Sequence, residues 1–379
     1  MNQPEDRQPS PARKPRVAVV FGGRSSEHAI SCVTAGSVLN AIDREAYDVV
    51  PVGIARDGRW VLESGDTTRL RIESGVLPAV DGERSAISLM REEAHTDLVV
   101  SDPTEPPQTL GEVDVVFPVL HGPWGEDGTI QGMLEMVGVR YVGAGVLASA
   151  LGMDKVFMKI ALQAAGLPVT PGIVVTSRQW ETDPGAVLSR VEEVGFPSFA
   201  KPARAGSSMG ISKIHDASEV SAALAEAFEH DPKVLVERSM EGAREVECGV
   251  LGSLEGPPET TRLGELRVGG EHEFYDFEAK YLPDHHTEID IPAHLPADVE
   301  SRLREMAAQA FDAISCEGLA RVDFFLLPDG GVVINEINKM PGFTPTSMYT
   351  QLWADAGLAY PQLVDRLIQL ALRRDTGLR

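Results

Sequence analysis

The sequence has few cysteines, no long hydrophobic run and fewer basic than acidic residues. Its three cysteines, Cys32, Cys248 and Cys316, lie far apart and form no Cys-x-x-Cys pair, so neither a zinc ribbon nor a disulfide framework is expected. No apolar run approaches the roughly 20 residues of a membrane-spanning helix. Lys and Arg number 34 against 57 Asp and Glu, and the net charge of −23 repels nucleic acid and anionic lipid. These features predict a cytoplasmic protein that binds small molecules, with no nucleic-acid partner and no membrane insertion.

Two common nucleotide-binding loops are also missing. The pattern Gly-x-Gly-x-x-Gly does not occur at Gly22, where the first apolar run ends, so nothing there requires a dinucleotide. The glycine-rich stretch at 199–210 does not match the Walker pattern Gly-x-x-x-x-Gly-Lys-Ser/Thr.

The chain has 379 residues, which is enough for two or three domains. Residues 1–15 contain four prolines and no apolar segment, which predicts a disordered tail and not a signal peptide. Residues 16–145 alternate apolar runs with helical periodicity, which predicts an α/β domain with an open parallel sheet. A polar segment at 63–111 is expected to elaborate this domain. The expected strands are at 16–21, 47–55 and 113–120, and the expected helix is at 27–39.

Two further domains of mixed α+β type are expected. Residues 146–242 combine a helical pattern at 147–165 with short strands around Ile173, Phe199 and Val236. Residues 243–379 are expected to contain strands near Cys248, Arg321 and Val333, a helix at 296–314 and an amphipathic helix at 360–372.

The most informative segment is a predicted hairpin with acidic side chains. Two apolar runs flank the Asp-Gly pair at 329–330, which is the strongest short hairpin signal. A two-residue turn there places Asp323 opposite Glu336. The same register places Arg321 opposite Asn338, with all four side chains on one face. Opposed carboxylates repel by up to about 1 kcal/mol, and a Mg²⁺ or Mn²⁺ ion removes that cost. A solvated outer face is the alternative interpretation.

A small-residue loop at 199–210 follows a predicted strand. Its glycines and serines let backbone N–H groups approach an anion closely, and Lys201 and Arg204 supply positive charge. Alone, the loop is equally typical of a flexible hairpin. Together with a metal hairpin, it can hold the two ends of a triphosphate.

Further nucleotide ligands are suggested by residue type. Lys155 and Lys280 are candidate phosphate ligands, although either alone is more typical of a solvated surface. The segment 234–240 is expected to be a strand that runs into a connector, whose backbone can bond an adenine edge. Glu245 beyond it can accept ribose hydroxyls, or it is simply a surface acid.

In this order the segments resemble the ATP-grasp ligases and, within them, the D-alanine–D-alanine ligase family. The resemblance covers about residues 16–372. Two patterns carry most of it, His-Gly-x-x-Gly-Glu-Asp-Gly and Glu-x-Asn-x-x-Pro-Gly. The matching blocks are 21–28, 121–128, 201–210, 277–281, 321–323 and 335–344.

The resemblance implies an ATP-grasp fold with an N-terminal open parallel-sheet domain, and it implies ATP and two Mg²⁺ (or Mn²⁺) ions as cofactors. The metal ligands would be Asp323, Glu336 and Asn338. The nucleotide residues would be Lys155, Lys201, Ser208 of the closing loop, Glu237, Arg238, Met240, Glu245 and Lys280.

The resemblance also implies where two D-alanine molecules bind. Glu27 would hold the ammonium of the first, supported by Ser207 and Tyr281, and His121 would lie near its carboxylate. The residues that receive the second D-alanine's carboxylate would be Ser347 and Met348. Those that stabilise the tetrahedral oxyanion would be Arg321 and the N–H of Gly342.

The implied activity is ATP-dependent joining of two D-alanine molecules through an acyl phosphate, for peptidoglycan precursor synthesis, by a homodimer. Three alternatives stay open. A ligase for D-lactate is less favoured because Tyr281 is retained, a ligase for D-serine is weaker still, and a non-catalytic ATP sensor could lose metal ligands that are present here. Lys339 replaces a common small hydroxyl residue, and its alternating position predicts a side chain that points away from the metal face.

Overall fold

The computed structural model describes residues 13–73, 75–206, 209–268 and 287–377. Most of the predicted tail lies outside these ranges. Its last residues are described, and Arg13 there forms an ion pair with Asp114 (2.6 Å). In the described part of the chain, no helix is long and apolar enough to cross a membrane.

An eight-stranded sheet forms the N-terminal part. Its order is β6-β5-β4-β3-β2-β1-β7-β8, and strands β2, β1, β7 and β8 are parallel, as expected. The segment at 63–111 adds antiparallel strands at one edge, so the sheet is mixed rather than wholly parallel. The elements are β1 (Arg16–Gly22), α1 (His28–Ala41), β2 (Asp48–Ile54), β3 (Trp60–Leu62), a 3-10 helix (Thr67–Leu70), β4 (Ala86–Arg91), β5 (Thr96–Asp102), β6 (Glu105–Glu112), β7 (Val115–Pro118), α2 (Thr129–Met136) and β8 (Arg140–Tyr141).

The single helix expected at 147–165 is instead two helices, α3 (Val146–Met153) and α4 (Lys155–Ala164). The break is at Asp154, whose backbone is extended (φ −94°, ψ 102°). Its carboxylate accepts the N–H groups of Val156 (3.1 Å) and Phe157 (3.2 Å). This is an N-cap, which satisfies backbone donors that have no partner inside the helix. The helical period of the sequence continues through the cap, so periodicity alone did not detect it.

A four-stranded antiparallel sheet follows, with order β11-β10-β12-β9. The strands expected around Ile173, Phe199 and Val236 are present. The elements are β9 (Gly172–Thr176), α5 (Ser177–Thr182), α6 (Pro184–Val194), β10 (Ser198–Pro202), β11 (Ser212–Ile214), α7 (Val220–His230) and β12 (Lys233–Arg238).

The C-terminal part contains a five-stranded antiparallel sheet with order β15-β14-β13-β16-β17. The expected strands and helices are present within one or two residues. The elements are β13 (Arg244–Leu251), β14 (Glu259–Val268), β15 (Thr287–Asp290), α8 (Ala297–Ala313), β16 (Leu319–Leu326), β17 (Val332–Asn338), α9 (Met348–Asp355) and α10 (Tyr360–Arg373).

The three sheets meet around the β16–β17 hairpin. The loop after α4 forms a parallel bridge from Val169 to Ile334 of β17. Helix α10 and the aromatic ring of Phe343 share one apolar core with Val17 and Phe117 of the N-terminal sheet. This core joins the C-terminal part to the N-terminal sheet, and a second core packs α4 and Val169 against β16 and β17.

Candidate functional site

The hairpin pairs the predicted residues, but through a different turn. Asp323 lies opposite Glu336 and Arg321 lies opposite Asn338. The expected two-residue turn at 329–330 is wrong, because the N–H of Leu327 bonds the carbonyl of Gly331 (2.8 Å) across a three-residue loop.

A second irregularity offsets the first. Phe324 pairs with Ile334 rather than with Asn335, so Asn335 is an extra residue in β17. Such a β-bulge shifts the register by one. The longer turn and the bulge cancel, and the acidic pair therefore keeps the predicted register.

The oxygen-bearing side chains converge on one point. The amide Nδ2 of Asn338 donates to Asp323 Oδ2 (2.8 Å) and to Glu336 Oε1 (3.2 Å). A 180° rotation of this amide turns its oxygen to the same point, which gives two carboxylates and one amide oxygen. Among the described residues no third carboxylate, imidazole or thiolate joins them. This all-oxygen set fits Mg²⁺ or Mn²⁺, which complete their coordination with water and phosphate.

Arg321 is held by two carboxylates. Its Nε and Nη2 donate to Asp323 (2.7 Å each), and its Nε lies 2.9 Å from Oε2 of Glu247 on the adjacent strand β13. Oε2 of Glu247 lacks good hydrogen-bond geometry, so this contact is an ion pair. Burial alone would lower the pKa of Arg321, but Asp323 and Glu247 outweigh it and raise that pKa well above its usual value. The guanidinium is thus a fixed positive charge beside the candidate metal ligands.

The glycine-rich loop lies between β10 and β11, as predicted. Lys201 on β10 forms an ion pair with the buried Glu237, and its charge also interacts with Glu336 and Glu245. Burial would lower the pKa of Lys201, yet Glu237 reverses this and the net pKa is raised. Arg204, expected at the loop mouth, instead donates to both oxygens of Asp231 (2.9 and 2.7 Å).

Lys155 approaches the same loop from helix α4. Its Nζ donates to the carbonyl of Ala205 (2.6 Å), and its N–H donates to the carbonyl of Ala203 (2.9 Å). The structure therefore brings Lys155 to the first half of the loop that follows Lys201.

The connector after β12 presents its backbone. The N–H groups of Arg238 and Ser239 are already bonded to the carbonyls of Pro171 (2.9 Å) and Pro197 (3.0 Å). Within the described ranges, the N–H of Met240 has no acceptor. The predicted adenine contact would use this backbone donor, and the side chain of Arg238 is exposed.

Glu27 lies between two glycines of different segments. Its side chain is 8% exposed. A Cβ atom added to Gly122 would lie 2.5 Å from Glu27 Oε2, and one added to Gly206 would lie 2.9 Å from it. Only glycine allows the backbone to come this close. The His-Gly motif and the glycine-rich loop therefore both touch the predicted ammonium-binding residue.

His121 is buried beside Glu27's helix. Its Nε2 lies 3.3 Å from Oγ1 of Thr34, and its carbonyl accepts the hydroxyl of Ser25 (2.7 Å). Glu126 in the same motif accepts the N–H of Gly122 (2.7 Å), and burial raises the pKa of its carboxyl.

The segment after β17 turns into helix α9. Ser347 is the N-cap, and its Oγ accepts the N–H of Thr344 (3.1 Å). The side chain of Met348 is buried in the core, so its backbone N–H is the group left for a carboxylate at this helix start. In the described part of the chain, the N–H of Gly342 has no acceptor.

Four predicted site residues lie outside the described residues, namely Ser207, Ser208, Lys280 and Tyr281. Lys339 is described and is 5% exposed. Its side chain lies beneath Gly152 of α3, since a Cβ there would meet Lys339 Nζ at 3.0 Å. This is the helix-packed side of β17, so Lys339 points away from the metal face, as predicted.

Sequence reasoning missed Lys159 and Glu247. Lys159 follows Lys155 by four residues, one helical turn, which is a spacing that could have signalled it. Its Nζ contacts the carbonyl of Asn335 (3.0 Å) and Glu237 Oε2 (3.0 Å). Glu247 carries no such signal, because its role depends on the pairing of β13 with β16.

Comparisons with known proteins agree over almost the whole chain. Family models described as D-ala D-ala ligase N-terminus and C-terminus match residues 16–144 and 161–369. The D-alanine–D-alanine ligase of Arthrobacter sp. (strain FB24) is 58% identical over 368 residues, which cover 97% of this chain and 96% of that protein. The ligase of that name from Streptomyces avermitilis is 53% identical over 377 residues, with 97% of both chains covered.

Solved structures give the same grouping. The VanG D-Ala:D-Ser ligase from Enterococcus faecalis has a TM-score of 0.79 and 34% identity, covering 95% of this chain and 100% of that one. The D-alanine–D-alanine ligase from Coxiella burnetii has a TM-score of 0.77 and 32% identity, covering 95% and 94%. With its mixed sheets and acidic hairpin, the chain belongs to the D-alanine–D-alanine ligase family, on the ATP-grasp fold.

Proposed function

We propose that this protein is an ATP-dependent ligase that joins two D-alanine molecules into D-alanyl-D-alanine for peptidoglycan precursor synthesis. The observation that carries the proposal is the hairpin, where Asp323, Glu336 and Asn338 converge beside the fixed charge of Arg321. Family membership supplies the reaction type. The residues around the hairpin supply what such a reaction needs, namely cation ligands, phosphate ligands and a guanidinium.

The first step is in-line attack of the first D-alanine's carboxylate on the γ-phosphorus of ATP, which forms an acyl phosphate and releases ADP. This step needs charge neutralisation and positioning more than covalent help from the protein. Lys155 and Lys201 neutralise phosphate charge, and Glu27 holds the substrate ammonium. Lys280 and the serines at 207 and 208 are proposed to complete this side of the site.

The second step is attack of the second D-alanine's neutral amine on the acyl carbon. The start of helix α9, at Ser347 and Met348, receives that molecule's carboxylate. Arg321 and the N–H of Gly342 stabilise the oxyanion, because fixed donors aimed at developing charge lower the barrier. Phosphate then leaves as the C–O bond breaks and takes up the proton that the amine nitrogen loses. A closed loop keeps water from the acyl phosphate.

We propose two Mg²⁺ ions as the resident metals, with Mn²⁺ as a substitute. When bound, they neutralise phosphate charge and orient the γ-phosphoryl group. The choice is supported by the donor set of two carboxylates and an amide oxygen, which is hard and suits these cations.

The proposal also covers domain division, oligomeric state and location. The proposed divisions are a tail at 1–15, an N-terminal domain at 16–145, a central domain at 146–242 and a C-terminal domain at 243–379. A homodimer is proposed from the family resemblance. A cytoplasmic location is supported by three cysteines that are free and buried.

The test is ADP release from ATP by the purified protein, with product identification by mass spectrometry. We expect release only when D-alanine and Mg²⁺ are both present, and D-alanyl-D-alanine as the product. Equal turnover with L-alanine, or none with D-alanine, would refute the assignment. Competition of D-alanine with D-lactate across pH tests the second substrate, because an amine nucleophile gains as pH rises and the hydroxyl of lactate does not. Competition with D-serine, which also attacks through an amine, is decided by the identity of the product.

A further inference from the structure

A buried charge cluster lies where the nucleotide site meets the metal hairpin. Glu237 is 2% exposed and has an ion pair to each of two lysines, Lys159 and Lys201. The side chain of Lys159 is only 8% exposed. Its contact with Glu237 is close (3.0 Å) but poorly aligned as a hydrogen bond, so it acts through charge. Two ammonium groups therefore share one carboxylate.

The two lysines differ in what else they reach. Lys159 also donates to the backbone carbonyl of Asn335 (3.0 Å), the bulged residue directly before Glu336. Lys201 lies at the start of the glycine-rich loop and interacts electrostatically with Glu336 and Glu245. Lys159 is thus anchored on the hairpin, whereas Lys201 interacts with Glu336 and Glu245, which are proposed to act on the metal ions and the nucleotide.

We propose that Lys159 is a positioning residue that lets Lys201 transfer from Glu237 to the nucleotide phosphates. Lys159 keeps Glu237 paired after Lys201 leaves, and its bond to Asn335 holds the bulge that sets the register of Glu336. This inference rests on the proposed phosphate role of Lys201. It adds that Lys201 comes from Glu237 and that Lys159 stays paired with Glu237.

The physical reason is the cost of an unpaired buried charge. A carboxylate that loses its partner in the interior is strongly disfavoured, more than the intact pair is worth. Without Lys159, a phosphate would have to take Lys201 from a Glu237 that has no other cation partner within the described ranges. With Lys159 in place, the transfer leaves one ammonium on one carboxylate, which is a balanced pair.

The proposal predicts an effect that depends on phosphate. Adenosine carries no phosphate and does not require Lys201 to move. ADP does require it. Replacing Lys159 by Met should therefore weaken binding of ADP about tenfold or more, and binding of adenosine much less. A role only in packing would weaken the binding of both ligands together, whereas a role only in holding Asn335 would give an ADP loss that removal of the Glu237 carboxylate does not relieve.

The experiment is calorimetric titration of the full chain with Mg²⁺-ADP and with adenosine. Lys159→Met is compared with wild type, and Lys159→Gln, which keeps a donor without the charge, gives a second reading if the Met variant fails to fold. The double variant Lys159→Met/Glu237→Gln removes the buried carboxylate that retains Lys201. In it we expect ADP affinity to rise above that of Lys159→Met and toward that of Glu237→Gln, because only the lost contact with Asn335 then remains.

Arg374→Met is the matched control. Arg374 is also 8% exposed, pairs with Glu317 (2.7 Å) and bonds backbone carbonyls between two parts of the chain, but it contacts none of the proposed nucleotide residues. The Arg374→Met variant should have a lower free energy of unfolding without a change in the ratio of ADP to adenosine affinity.

Three results would decide against the proposal. They are equal losses for ADP and adenosine in Lys159→Met, an unchanged ADP affinity, and a double variant as weak as the single one. Lys201→Met separates this from failure of the proposed function. If Lys201→Met leaves ADP affinity intact, the phosphate role itself is wrong, whereas a loss in Lys201→Met without one in Lys159→Met overturns only the present inference.

Discussion

Replacing Glu247 by Gln is predicted to slow the ligase reaction while nucleotide binding is kept. Glu247 lies 2.9 Å from Nε of Arg321, and Asp323 accepts hydrogen bonds from Nε and Nη2 of the same guanidinium. Asp323 is also a proposed metal ligand. When a cation shares the oxygens of Asp323, Glu247 is the carboxylate that still orients Arg321.

The magnitude follows from the lost charge. Gln keeps the shape of the side chain, so packing is preserved and the charge-assisted contact is lost. Close ion pairs in water-excluded sites couple by about 1.5–7 kcal/mol, and the lower part of this range applies here because Asp323 also contacts the guanidinium. If that loss appears in the transition state for amide formation, kcat falls about ten- to hundredfold.

The assay is steady-state ADP release with ATP and D-alanine varied separately. We expect a lower kcat with little change in the KM for ATP. The reason is that Glu247 is proposed to act on the transition state through Arg321 and not on bound ATP. Glu265→Gln is the matched control, since Glu265 is equally buried on the neighbouring strand and pairs with both guanidinium nitrogens of Arg244 (2.7 and 2.6 Å). Full kcat in Glu247→Gln, or an equal loss in Glu265→Gln, would refute the reasoning.

Three further predictions concern other parts of the molecule. Gly206→Ala places a methyl group 2.9 Å from Glu27 Oε2, so kcat/KM for D-alanine should fall roughly ten- to hundredfold. Gly132→Ala adds a methyl group in open space and should leave kcat/KM unchanged. Equal kinetics of the two variants would contradict this prediction. His28 is buried with backbone bonds on both ring nitrogens, and burial lowers its pKa. The unfolded chain then binds more protons, so the free energy of unfolding should fall as the pH drops below about 6.5. The fall should be less steep in His28→Gln. If urea unfolding gives the same pH dependence for wild type and variant, the prediction is refuted. Asp154→Ala removes the N-cap of α4 and should lower the free energy of unfolding by about 1–2 kcal/mol, as measured by thermal unfolding. Asp154→Asn should lower it less. Equal losses in the two variants would contradict the capping role of Asp154.

Much of the fold could be predicted because local patterns decide it. The apolar run that ends at Gly22 is a fully buried parallel strand, and the Asp-Gly pair marks a real hairpin. The acidic face of that hairpin is visible in the sequence because side chains alternate along a strand.

The rest depends on contacts between distant segments. The bulge at Asn335 is fixed in part by Lys159, which lies 176 residues earlier. The role of Glu247 depends on the pairing of β13 with β16. The break at Asp154 is a local capping effect, but the apolar period of the flanking helices runs through it and conceals it.

The central claim is that the opposed carboxylates of β16 and β17 hold divalent ions that tether the nucleotide. The most direct measurement is Mn²⁺ binding by electron paramagnetic resonance, in the presence of a non-hydrolysable ATP analogue, for wild type and Glu336→Gln. We expect wild type to bind Mn²⁺ tightly with the analogue, and the folded variant to lose most of that binding together with its turnover. Unchanged Mn²⁺ binding and turnover in the variant would contradict the account.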